Sequence, residues 1–63
     1  MEIKMRWTEP RGAQAYTAPS VGDALFMFDR MREMGYVQIE AMDDSGHRLT
    51  RDDLYLLAHP PRT

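Results

Sequence analysis

The chain has 63 residues, a formal net charge of −2 and no cysteine. This length allows one domain at most, spanning residues 1–63, and one core of that size seldom contributes more than about 3–5 kcal/mol of stability. The composition excludes a disulfide framework and a thiolate metal site, and the interspersed charges give no broad attraction to nucleic acids or anionic membranes.

The first seven residues, MEIKMRW, alternate apolar and charged side chains. This period of two predicts a strand with one packed face and one solvated face. Residues 8–12 contain proline and glycine and predict a turn. Residues 13–17, AQAYT, predict a weaker second strand, which pairs with the first as a hairpin and forms an edge of the sheet.

Residues 20–34 predict one long amphipathic helix, around which the rest of the chain is organised. Ser20 is its expected N-cap, Asp23 adds a carboxylate in the first turn, and Gly35 closes the C-terminal end. The apolar face predicted by helical spacing consists of Val21, Ala24, Leu25, Phe28 and Met31.

Phe26 falls on the polar side of this helix, where a large aromatic side chain has two interpretations. Either an adjacent segment of the chain covers Phe26, or the ring contacts another chain. The sequence gives the two interpretations equal weight.

Residues 36–41, YVQIEA, predict a third strand with Val37, Ile39 and Ala41 on the inner face. Residues 43–46 have the composition of a hairpin turn, and a short strand returns over residues 47–50. A second helix is expected over about residues 51–58, because Thr50 and Asp53 repeat the spacing of a capping box.

This order of elements predicts an α+β fold: a two-layer β-β-α-β-β-α domain whose long helix packs on a four-stranded antiparallel sheet. The sheet order expected is 2-1-3-4, with the first strand in the centre.

The candidate chemical sites all have simpler explanations. The acidic turn lacks the ligand spacing of a calcium loop, and His47 beside Asp43 or Asp44 has no pocket for acid–base catalysis. The six methionines lie at core spacing, which favours core filling over an adaptable groove. The sequence therefore predicts no catalytic residue, cofactor or metal, and no enzyme.

Four residues, Tyr16, Tyr36, Lys4 and Arg6, are expected on the helix-free side of the sheet together with Gln14 and Gln38. Aromatic and basic side chains on an open sheet can bind single-stranded nucleic acid. The negative net charge, with Glu2 and Glu40 on the same side, favours a solvated or self-associating face instead.

The function expected is that of a small, non-enzymatic, bacterial-type protein-interaction module that forms homodimers. Its interface would use the edge strand, the open sheet face or Phe26. The alternative is a nucleic-acid-binding regulator. Because the sequence contains no secretory pattern or membrane-length apolar run, the expected compartment is the cytoplasm and no membrane partner is expected.

Overall fold

The computed structural model describes residues 1–60. Its elements are β1 (Ile3–Glu9), β2 (Gly12–Ala18), α1 (Val21–Glu33), β3 (Val37–Met42), β4 (Arg48–Leu49) and α2 (Arg51–Ala58). The strands form one antiparallel sheet in the order β2-β1-β3-β4, which confirms the predicted arrangement. Both helices cover the same face of this sheet, so the other face stays open.

The core lies between the sheet and the two helices. Its fully buried members come from β1, β2, β3 and both helices: Ile3, Met5, Ala18, Ala24, Met31, Ala41 and Leu54. The predicted helix residues Val21, Leu25 and Phe28 pack against this cluster, as does Ile39. The period-two pattern of β1 is confirmed, because Ile3 and Met5 are buried while Lys4 and Arg6 are exposed.

Local hydrogen bonds define both ends of α1. The hydroxyl of the N-cap Ser20 accepts from the backbone N–H of Asp23. The Asp23 carboxylate does not return to the cap; it accepts a 2.9 Å hydrogen bond from the Tyr16 hydroxyl instead. At the other end Gly35 has a φ of +80°, and the N–H of Tyr36 donates to the carbonyl of Met31, which completes a Schellman motif.

A complete capping box starts α2. The Thr50 hydroxyl accepts from the N–H of Asp53, and the Asp53 carboxylate accepts from the N–H of Thr50. Leu54 then anchors the helix in the core. Leu57, three residues further on, is 46% exposed, because an eight-residue helix at the edge of a small domain buries only a narrow stripe.

A β-bulge in β3 overturns part of the predicted alternation. Arg6 lies opposite Glu40 and Thr8 opposite Val37, so two β3 residues face the single residue Trp7. The bulged residue Gln38 has a φ of +55°. One extra residue reverses the faces that precede it, so Val37 joins Thr8 on the open side and is 57% exposed. The prediction of an inward Val37 was therefore wrong.

Candidate interaction surfaces

The free edge of β2 is the longest unpaired strand edge among residues 1–60. β2 is the outermost strand and runs for seven residues with the sequence GAQAYTA. It contains no charged residue, no proline and no bulge against β1. Natural edge strands are normally protected by such features, because their unpaired N–H and C=O groups otherwise pair with another chain.

The open face of the sheet carries a short network of charges. Glu40 lies between two arginines, with Arg6 Nη2 at 3.3 Å on one side and Arg48 Nη2 at 2.9 Å on the other. Arg6 and Glu40 are direct cross-strand partners, and Lys4 lies on the same face opposite Met42. Lys4 and Arg6 are thus on the open face, as predicted. The two arginine side chains are exposed and Glu40 is only partly buried, so each pair contributes little to stability.

The two tyrosines predicted on the open face lie elsewhere. Tyr16 is the register partner of Met5, which is buried under the helices, so both side chains lie on the helix side of the sheet. Its hydroxyl bond to Asp23 leads to the same conclusion. Tyr36 precedes the bulge and packs against the core cluster. The prediction that Tyr16 and Tyr36 lie on the open face was therefore wrong. Neither ring is in position to stack on bases at that face.

Phe26 is 61% exposed, so no segment within residues 1–60 covers it. Of its two interpretations, burial under an adjacent part of the described chain is excluded. Contact with another chain stays a prediction. Four more large apolar side chains of the helical layer and its ends are also exposed: Met34, Tyr55, Leu56 and Leu57.

A shallow groove crosses the sheet beside the bulge and the start of α2, with a volume of about 680 Å³. Apolar parts of its lining come from Trp7 and Phe28. Three arginines line it as well, from β1, β4 and the first turn of α2: Arg6, Arg48 and Arg51. The sequence does not predict this grouping, because residues from separate elements meet here only after the sheet has formed.

Arg51 also ties the two helices together. Its Nε lies 2.8 Å from Asp29 Oδ1 and its Nη2 lies 3.0 Å from Asp29 Oδ2, which is a bidentate pair. The hydrogen bond from Arg51 lowers the pKa of Asp29 and raises that of Arg51 itself. This geometry fixes the guanidinium at one margin of the groove.

The Asp43 carboxylate organises the β3–β4 turn. Its Oδ1 accepts from the backbone N–H groups of His47 and Ser45, both at 2.9 Å. Both bonds lower the pKa of Asp43, and the bond from His47 has the larger effect. The His47 ring is largely exposed, with Nδ1 3.4 Å from Asp43 Oδ2. The arrangement is that of a solvated hairpin turn.

Neither a metal site nor a membrane-spanning helix is present in the described part of the chain. No three histidine or acidic side chains within residues 1–60 come together as ligands. No helix there is long and apolar enough to cross a bilayer.

The described chain is a small two-layer α+β domain with three candidate surfaces: the β2 edge, the exposed helical side chains and the arginine-lined groove. No known protein family, curated protein or solved structure was found to match it.

Proposed function

We propose that this protein is a non-enzymatic interaction module that forms a homodimer through the free edge of β2. The observation that carries the proposal is the seven-residue uncharged edge strand. Two copies related by a two-fold axis would pair their β2 strands antiparallel along about 23 Å and join two sheets into one. The compartment we propose is the cytoplasm, consistent with the absence of cysteine.

The size of the domain supports this proposal. A core of seven buried apolar residues gives the domain only a small free energy of unfolding, and there is no disulfide to supplement it. Any contact made only by the folded chain stabilises that state by mass action. Strand pairing also satisfies backbone groups that otherwise need water.

Ala15 offers a sharp test, because it is the central residue of β2 and would lie opposite its own copy in a fully overlapping pair. Ala15→Glu and Ala15→Lys would each place like charges face to face across the axis. We expect each variant alone to dissociate at least about tenfold more readily than the parent, and a 1:1 mixture to recover association. Analytical ultracentrifugation of the 7.3 kDa chain measures both results.

The intrachain partner of Ala15 is Arg6, so the glutamate variant retains a favourable neighbour within the fold. Ser45→Glu is a matched control, because it adds the same charge in the β3–β4 turn, away from β2. A parent chain that stays monomeric at high micromolar concentration would refute the proposed homodimer. Unchanged association of both Ala15 variants would refute the β2 interface in particular.

A further inference from the structure

We infer that the arginine-lined groove is a binding site for a short extended peptide that alternates acidic and apolar side chains. The inference is separate from the proposed homodimer, since it concerns the groove and not the pairing of β2. Three features of the groove support it: its charge, its apolar lining and the unpaired backbone beside it.

The charge of the groove opposes that of the whole chain. Its lining contains three arginines and one carboxylate, Glu40, whereas the chain has a net charge of −2. Arg51 is already paired with Asp29, so the positive charge available to a ligand comes from Arg6 and Arg48. Glu40 is shared between Arg6 and Arg48, so one carboxylate faces two guanidinium groups. Each guanidinium has five N–H donors, and the contacts to Glu40 use only one nitrogen of each. Donors remain for further carboxylates.

The apolar lining provides a place for an uncharged side chain. Trp7 and Phe28 both border the groove and are only partly buried. The indole N–H of Trp7 already donates to Glu9 Oε2 at 2.8 Å, which holds the ring in place. A volume of about 680 Å³ is in the usual range for ligand sites.

The backbone beside the groove lacks a strand partner on one side. β4 pairs only with Ala41 and Met42, because Thr50 ends the strand by capping α2. Consecutive strand residues direct their backbone groups to opposite edges, and the N–H of Asp43 bonds toward the β4 side, so Ala41 and Ile39 face that side too. Within the described chain, Ile39 therefore has its N–H and C=O on the unpaired edge and lines the groove, whereas the backbone of Glu40 faces β1. An extended peptide can use such an edge for main-chain hydrogen bonds. The bulge at Gln38 limits the regular unpaired edge to Ile39, so the ligand expected is short.

Trp7 is the single tryptophan of the chain, so its emission reports on the groove directly. The probe is a blocked hexapeptide of alternating glutamate and leucine, compared with the same peptide containing lysine for glutamate. We expect a saturable change in emission with the glutamate peptide, weakened by salt, and at least about tenfold weaker binding of the lysine peptide.

Arg48→Glu reverses one charge of the groove and is expected to weaken binding of the glutamate peptide at least about tenfold. Its side chain is 73% exposed, so the fold should tolerate the change. Arg30→Glu is the control, because it makes the same change in charge on an exposed position of α1 outside the groove. Equal binding of both peptides, equal affinities of the two variants, or no saturable signal in the parent would each overturn the inference. Sedimentation of the same samples reports self-association separately.

Discussion

Leu54 and Leu56 lie two residues apart on α2, yet Leu54 is 0% exposed and Leu56 is 56% exposed. Truncating each to alanine removes the same atoms from the same helix. Leu54→Ala removes buried contacts with the core and is expected to cost about 2–5 kcal/mol. Leu56→Ala is expected to change the free energy of unfolding by less than about 0.5 kcal/mol. Since the total stability expected is about 3–5 kcal/mol, the first variant should be largely or wholly unfolded.

The assay is urea denaturation at one fixed protein concentration, followed by Trp7 fluorescence and by far-UV circular dichroism. If Leu54→Ala is unfolded in buffer, sodium sulfate can restore a measurable transition, and the comparison is then made for all chains in that salt. Equal costs at the two positions, or a larger cost at Leu56, would refute the packing of α2 through Leu54.

Three further predictions follow from the caps and ion pairs. Thr50→Ala removes the hydroxyl half of the α2 capping box and should lower the free energy of unfolding in urea by about 1 kcal/mol; no change would mean that the box does not hold α2. Gly35→Ala keeps free space around the new methyl group but forces alanine to a φ of +80°, so thermal denaturation should show a loss of about 1–2 kcal/mol, and an unchanged midpoint would contradict this. The pKa of Asp29 is lowered below its ordinary value of 3.8 by the hydrogen bond from Arg51, so its contribution is present above that value and is lost as pH falls through the folded pKa. In Asp29→Asn, the free energy of unfolding should therefore decrease less steeply than in the parent as the pH is lowered into the acid range, measured by urea titrations. An equally steep decrease in both chains would show that Asp29 does not contribute to it.

The elements with strong periodic patterns were predictable from sequence. β1 alternates large apolar and charged residues, so its faces followed directly. Both helices begin at a hydroxyl residue with a carboxylate three positions later, and both caps are present. The order of strands followed from short connections and antiparallel neighbours.

The positions of Tyr16 and Val37 depended on details that pattern alone does not carry. β2 has alanines on both faces, so its sequence does not say which face Tyr16 occupies. The pairing of Glu9 with Gly12 sets the register and places Tyr16 opposite Met5. The bulge depends on a left-handed φ at Gln38, a conformation for which glutamine gives no signal. The groove was not predictable either, because its lining comes from separate elements that meet only in the folded sheet.

The bulge also makes the start of β3 a natural place for indels. Removing Gln38 would leave Ile39 alone opposite Trp7 and restore uninterrupted pairing with β1, while Val37 would stay opposite Thr8 on the open side. The pairing of Met5 with Ala41 lies on the far side of the bulge and would keep its register. A homologue one residue shorter here would then keep an apolar residue at the site of Tyr36 and an exposed residue at that of Val37.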